Sequence, residues 1–190
     1  MASPIALRLA TPSDVPGIFE IHRYYTLNTI ITFKLAITPE EEHLETLKSV
    51  QSQDLPYIVA TMQDKKVDES KSYERIVGYT YCTGFRSGKA GYRHTVELSL
   101  FCHPEYRYMG IGTRLLNKLL EVLSKPQENT HFLAGNVARS EDRKVRQIIA
   151  CMAIDETGIE NGLGLKRWYE NFGFEEVGHL KKVGHKFDRW

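Results

Sequence analysis

The stretch Thr95–Leu123, TVELSLFCHPEYRYMGIGTRLLNKLLEVL, constrains the fold of this chain more than any other. Val96–Cys102 reads as a strand, whose period of two sets Val96, Leu98, Leu100 and Cys102 on one side and Thr95, Glu97, Ser99 and Phe101 on the other. Ile111, Leu115, Leu116, Leu119, Leu120 and Leu123 recur at helical spacing and predict a helix with one apolar stripe. Between the two, Arg107-Tyr108-Met109-Gly110-Ile111-Gly112-Thr113 spells R-x-x-G-x-G where the helix begins. Glycines there let the backbone turn tightly and approach a ligand. The first N–H groups of the helix lack intrahelical partners and stand at the positive end of its dipole. Such a turn is a seat for a diphosphate; a glycine-rich helix start without a ligand is the alternative. The spacing excludes the two other common phosphate patterns, G-x-x-x-x-G-K-[ST] and G-x-G-x-x-G.

A chain of 190 residues fits a single domain over residues 1–190, and 42% hydrophobic with 26% charged residues is enough for a sizeable core. The net charge of +1 removes the usual argument for a nucleic-acid or membrane partner. Cys82, Cys102 and Cys151 are scattered and without C-x-x-C spacing, which reads as reduced, mostly buried thiols. No apolar run approaches the ~18 residues of a membrane span, and MASPIALRLA lacks a signal peptide's basic and apolar regions. These features predict a cytoplasmic protein. Seven histidines without H-x-x-x-H spacing predict no metal.

Along the chain, Ile5–Leu9 reads as a strand, and Thr11 or Ser13 can cap a helix running to about Tyr25. Thr38-Pro39-Glu40-Glu41 opens a second helix as a capping box, with Leu44 and Leu47 inward. Tyr57–Met62 and Ile76–Phe85 read as strands joined by a solvated loop, Gln63–Arg75. His131–Val137 is expected as a fifth strand, Asp142–Ile154 and Leu163–Phe172 as helices, Gly173 as a left-handed helix stop, and Phe174–Leu180 as a last strand. The order predicts an α/β fold: a mixed, mostly antiparallel central sheet with helices on both faces.

The glycine loop resembles the acetyl-CoA signature of the GCN5-related N-acetyltransferases, whose fold is such a sheet. Arg8-Leu9-Ala10-Thr11-Pro12-Ser13-Asp14 is similar to that superfamily's opening, and Trp168-Tyr169-Glu170-Asn171-Phe172-Gly173-Phe174 to its ending. Tyr24–Phe33, Gly84-Phe85-Arg86, Tyr92–Glu97 and Gly184–Trp190 resemble its phosphinothricin acetyltransferase branch. The resemblance covers almost the whole chain. The family pattern continues past Gly184–Trp190 into one more strand, so either the sequence is cut short at Trp190 or the last strand is missing, which would leave a sheet edge exposed; Arg146–Asn161 looks like an insertion relative to bacterial members.

The resemblance implies an acetyl-CoA-dependent N-acetyltransferase acting on the primary amine of a small amino acid or analogue of the phosphinothricin or methionine sulfoximine type, and a homodimer. It implies acetyl-CoA binding by Leu100, Phe101 and Cys102, whose backbone would pair with the pantetheine arm, and by Arg107, Tyr108, Met109, Gly110, Ile111, Gly112 and Thr113, which would hold the diphosphate. Asn161 resembles a further contact to that cosubstrate, though its spacing to Tyr169 is one residue long. Glu97, in Thr-Val-Glu, resembles the branch's general base; a bare strand glutamate otherwise belongs to a solvated face. Tyr169 resembles the superfamily's proton donor to the departing sulfur, with a packed aromatic as the other reading. Arg86 would hold a substrate carboxylate or be a solvated turn cation. Phe33 and Tyr92 resemble acceptor-pocket aromatics, with burial in the core as the alternative. No cysteine context marks a nucleophile, which favours direct attack in a ternary complex. A peptide- or polyamine-directed acetyltransferase and an inactive CoA-binding module are the rival readings.

Overall fold

The computed structural model describes residues 5–64 and 73–190. Five strands form one sheet: β1 (Ala6–Leu9), β2 (Tyr57–Asp64), β3 (Tyr73–Gly84), β4 (Thr95–Cys102) and β5 (Gln147–Ala150), neighbours in that order. The first four are antiparallel, and β5 joins β4 in parallel. The helices are α1 (Val15–Asn28), α2 (Glu40–Ser52), α3 (Ile111–Ser124) and α4 (Gly164–Glu170). The mixed, mostly antiparallel α/β sheet expected from the sequence is the one that forms. The chain divides into two compact units, residues 1–21 with 39–150 and residues 22–38 with 151–190. The first holds the whole sheet, α2, α3 and the start of α1; the second holds the end of α1 and all of α4. Among the described residues no helix is long and apolar enough to cross a membrane.

The opening motif is a structural knot. Arg8 donates to both carboxylate oxygens of Asp14, at 2.7 and 2.8 Å, and to Glu74 on β3 at 2.7 Å. The Thr11 N–H and hydroxyl donate to the same Asp14, at 2.8 and 3.0 Å, so β1 turns into α1 through a closed ring of charged hydrogen bonds. Burial works to raise the Asp14 pKa, but Arg8 and Thr11 outweigh it and hold the carboxyl below its ordinary value.

A β-bulge sets which helix covers which face. Ala60 pairs with Gly78 but Thr61 with Ile76, so Ile76 and Gly78 point to opposite faces of the sheet. A Cβ added at Gly17 of α1 would stand 2.7 Å from Ile76, and one added at Gly78 would stand 2.8 Å from Ile111 and 3.1 Å from Leu115 of α3. The start of α1 therefore lies on one face and α3 on the other. Leu115, Leu116, Leu119 and Val122 of α3 are wholly buried. At roughly 1.5–3 kcal/mol for each such side chain, this stripe outweighs the exposed Lys125–Glu128 ion pair just past the helix end, whose kind contributes about 0–1 kcal/mol.

Several local expectations give way. His131–Val137 is not a strand but two 3-10 turns, Thr130–Phe132 and Ala134–Asn136, because Gly135 and Asn136 take positive φ (65° and 56°) and bend the chain while Phe132 and Leu133 bury themselves. Asp142–Ile154 is not a helix; it contains a 3-10 turn, Glu141–Arg143 at its start, and then β5, whose residues pair with Thr95–Leu98. The segment Arg146–Asn161 carries β5, a strand of the sheet. Phe174–Leu180 has no regular structure, and Val177 and Leu180 are almost fully exposed. At α2, Pro39 occupies the cap position and no side chain caps the helix; Leu47 is buried and Leu44 only half so. Gly173 takes φ 83° after α4, as a helix stop should. The expected loop Gln63–Arg75 lies largely outside the described residues, with the β2–β3 ladder reaching Asp64 and Tyr73.

Candidate active site

β4 threads the site residues of the first unit in a line. At its start the backbone N–H of Phe85 donates to Thr95 O at 3.0 Å, which closes the turn from β3 onto β4. Phe85 and Tyr92 meet edge to face at 5.4 Å within that turn, and the Arg86 guanidinium lies over both rings, 5.4 and 6.0 Å from their centroids. Arg86 has φ 46° and Tyr92 is 38% exposed. The two expected acceptor contacts of this unit are thus together and open to solvent, and Tyr92 is not core.

Glu97 follows two residues on, half-buried, paired across the sheet with Thr83 and Ile149. Tyr81 pairs with Ser99 and Tyr79 with Phe101, so Glu97, Ser99, Tyr81, Tyr79 and Phe101 share one face. Tyr81 stacks on Tyr57 at 4.6 Å, and Tyr79 on Phe101 at 5.3 Å, giving the face an aromatic floor. Burial, opposed by a hydrogen bond with Ser99 and reinforced by the Glu97 charge, pushes the Tyr81 phenol above its ordinary value. It stays a neutral hydroxyl beside the carboxylate. Sequence reading missed Tyr81 and Ser99; the signal was there in Tyr79-x-Tyr81, alternate aromatics on a strand that must pair with the Glu97 strand.

The β4–β5 ladder covers only Thr95–Leu98 with Gln147–Ala150, while β4 runs on through Ser99, Leu100, Phe101 and Cys102. Five residues of strand rise separate Glu97 from Cys102, roughly 17 Å. There the chain enters the glycine loop. Arg107 donates through Nε to Pro104 O, Tyr108 is 87% exposed at φ 64°, and Gly110 caps α3 in the left-handed conformation, φ 73°. A Cβ at Gly110 would meet nothing within 4 Å. Met109 and Thr113 are exposed, Gly112 is half so, and Ile111 alone turns inward, 1% exposed, to anchor the loop on Gly78. The Gly112 N–H is directed at the Cys102 thiol, which burial nevertheless pushes up to about 11. Cys82, fully buried, is raised further still. Neither is a thiolate near neutral pH.

His94 is taken up structurally: its Nδ1 faces Lys144 O at 2.8 Å, and its backbone oxygen accepts from Arg146 and Gln147. With Arg139 donating to Gln53, Arg143 and Arg93 carbonyls, it pins residues 125–146 to the sheet. A cleft of about 220 Å³ under that connection is lined by Asp54, Lys125, Arg139 and Lys144, and contains none of the expected site residues.

Phe33, Asn161 and Tyr169 belong to the second unit. Phe33 is half exposed and lies against Gly184. Asn161, at φ 53° in the kinked turn Ile159–Gly162, lines an open hollow of about 670 Å³ with Lys166, Glu176 and His179. Tyr169 is half-buried on α4 between Trp168 and Phe174, with ring centroids 4.9 and 5.2 Å away. Among the described residues no three His, Cys, Asp or Glu side chains gather as metal ligands would.

Known proteins match this arrangement over nearly its whole length. The chain is 28% identical over 184 residues to a phosphinothricin N-acetyltransferase of Alcaligenes faecalis, covering 97% of this chain and 77% of that protein. It is 23% identical over 186 residues to an L-methionine sulfoximine/L-methionine sulfone acetyltransferase of Salmonella typhimurium, covering 98% and 89%. Among solved structures it resembles a phosphinothricin acetyltransferase from Sinorhizobium meliloti in complex with AcCoA, with a TM-score of 0.72 and 27% identity over 98% of this chain and 83% of that one. A family model described as the acetyltransferase (GNAT) family matches residues 24–145, well over half of the sequence, and the chain belongs to that family.

Proposed function

We propose that this protein transfers the acetyl group of acetyl-CoA to the primary amine of a small amino acid or analogue of the phosphinothricin or methionine sulfoximine type. The amine attacks directly in a ternary complex, with Glu97 as general base. The observation that carries this reading is the line along β4: an arginine–aromatic turn at one end, a carboxylate within the strand and an anion-seating loop at the other end.

The loop fits a diphosphate. Gly110 opens the start of α3 with free space beside its Cα, and Arg107 brings a positive charge to the same turn. Acetyl-CoA, when bound, supplies an activated acyl group as a thioester. Leu100, Phe101 and Cys102 offer backbone along the strand end past the β4–β5 ladder, suited to an extended arm. An α-ammonium group is mostly protonated at neutral pH, so Glu97 must take its proton, directly or through one water, before the nitrogen can attack. The aromatic floor around Tyr81 lowers the local dielectric and strengthens that step. Arg86, held over Phe85 and Tyr92, receives the acceptor's carboxylate by a bidentate pair, and the resemblance makes Tyr92 and Phe33 each a contact to the acceptor. Tyr169 gives a proton to the departing sulfur, and Asn161 adds a contact to the cosubstrate. The protonated state of Cys82 and Cys102 supports a route without an acyl-cysteine step. The resemblance to the phosphinothricin branch supports a cytoplasmic homodimer.

The test is thiol release from acetyl-CoA against amino acids, phosphinothricin, methionine sulfoximine, polyamines and short peptides. Wild type should turn over an amino-acid analogue. Glu97→Gln should lower kcat about 100- to 10,000-fold, and Arg86→Ala should raise KM for carboxylate-bearing acceptors but not for their amides. Turnover confined to polyamines or peptides would replace the acceptor class. Binding of acetyl-CoA with no turnover on any amine would leave a CoA-binding module.

A further inference from the structure

Phe33 sits in the stretch between α1 and α2 where no helix or strand fixes the backbone. Its place is set by the chain's last residues. The three atoms nearest an added Cβ at Gly184 all belong to the Phe33 ring, at 2.3, 2.6 and 2.7 Å. Only a glycine lets the ring stand there. The backbone of Gly184 is not in the left-handed region, so that ring is the one obstacle a methyl group would face. Two residues on, the Lys186 Nζ donates to Thr32 O at 2.7 Å, and Lys186 is 3% exposed. The Phe33 ring and the carbonyl just before it are thus held by the same short segment.

That segment is itself over-determined. Lys186 and Arg189 exchange backbone hydrogen bonds at 2.9 and 3.1 Å, closing a two-residue turn in which Phe187 and Asp188 both take positive φ, 53° and 55°. Such a conformation is costly for a phenylalanine and persists only when its surroundings enforce it. Lys186 on Thr32 enforces it at one side, and Arg189, donating to Asp155 at 2.9 Å, at the other.

We propose that the turn Gly184–Arg189 is a latch that fixes the Phe33 ring, making Gly184 and Lys186 positioning residues for the acceptor amine. This rests on the reading of Phe33 as an acceptor-pocket aromatic. The latch acts through the Phe33 ring and the Thr32 carbonyl that it holds, so its effect belongs in KM for the amine. A methyl at residue 184 displaces a half-exposed ring, which has solvent to move into, so the fold survives the change.

The experiment compares wild type, Gly184→Ala, Lys186→Met, Phe33→Ala and the double variant Gly184→Ala with Phe33→Ala. Steady-state kinetics are measured on the best amino-acid acceptor, and aromatic-proton NMR follows the Phe33 ring, whose signals are those lost in Phe33→Ala. Gly184→Ala should move the ring signals and raise KM for the amine about five- to tenfold, with kcat and KM for acetyl-CoA within about twofold. Its effect should vanish once Phe33 is alanine. Lys186→Met should act in the same direction. An unchanged amine KM in Gly184→Ala, or the same increase with and without Phe33, overturns the latch. If wild type acetylates no amine, the functional reading fails by itself. The ring signals then decide whether the turn positions Phe33, and unmoved signals overturn the latch there too.

Discussion

A glutamate within a strand and an aspartate at a helix start look alike in a sequence, yet their surroundings give them different work. Glu97, the proposed base, is half-buried on the face it shares with Ser99 and the Tyr81 phenol, and among the described residues no arginine or lysine pairs with it. A base must be able to take up a proton, and an ion pair would oppose that. Asp14 is 5% exposed and locked by Arg8 and Thr11, which suits a structural anion. Its lowered pKa gives stability a pH dependence. The unfolded chain takes up a proton near the ordinary aspartate value of about 3.9, while the folded chain resists until lower pH. The contribution is therefore complete above that value and lost as pH falls through the folded one. Glu74, lowered first by its bond to Arg8 and then by Thr61, titrates in the same direction, less strongly coupled because it is more exposed. Asp14→Asn should cost about 2 kcal/mol at pH 7, read from urea midpoints. The gap between variant and wild type should narrow toward pH 3. A gap that stays constant with pH would mean the pair contributes through packing and not through charge.

At the scale of elements, the sequence was legible where one local pattern had one reading. The β4–loop–α3 unit, the strands β1 to β3 and the helix α2 follow from period and punctuation, whereas the expected site residues rest on the family resemblance and not on period. β5 was not legible. Val145, Ile148, Ile149 and Met152 stand at i, i+3, i+4 and i+7, which is a helix pattern, and only pairing with the far-off β4 makes the segment a strand. His131–Val137 failed in the opposite sense, because Gly135-Asn136 is a turn signal inside an apolar run. Nor does Gly78 announce in the sequence that a helix crosses it. That crossing is also what seats the glycine loop, since Ile111 is the loop residue that meets Gly78. Gly78→Ala should push on Ile111, Leu115 and the Phe101 carbonyl together and destabilise by about 1–3 kcal/mol. It should also raise KM for acetyl-CoA. Thermal melts and cosubstrate titrations on one preparation would check both. A stable variant with normal binding would show that α3 can shift without disturbing the loop.

For the molecule as a whole, the expected site residues are divided between the two units. The anion-seating loop, the strand end and Glu97 belong to the unit built on the sheet, whereas Phe33, Asn161 and Tyr169 belong to the unit made of residues 22–38 and 151–190. A sequence motif names residues one at a time, so it could not say that the Phe33 ring lies against Gly184, about 150 residues away along the chain. The division has a consequence for binding. If the sheet unit alone carries the diphosphate seat, acetyl-CoA affinity should follow changes at Gly110 and ignore changes at Phe33. At Gly110 the left-handed φ of 73° disfavours any other residue by about 1–2 kcal/mol, although a methyl would meet nothing within 4 Å. The cost of Gly110→Ala therefore falls on loop conformation and not on packing. Calorimetric titration with acetyl-CoA should show about a five- to tenfold weaker Kd for Gly110→Ala, and for Phe33→Ala a Kd equal to that of wild type. Amine KM should respond in the reverse pattern. Should Phe33→Ala weaken acetyl-CoA as much as Gly110→Ala does, the acceptor aromatic would be part of the cosubstrate's seat, and the two substrates would share one wall.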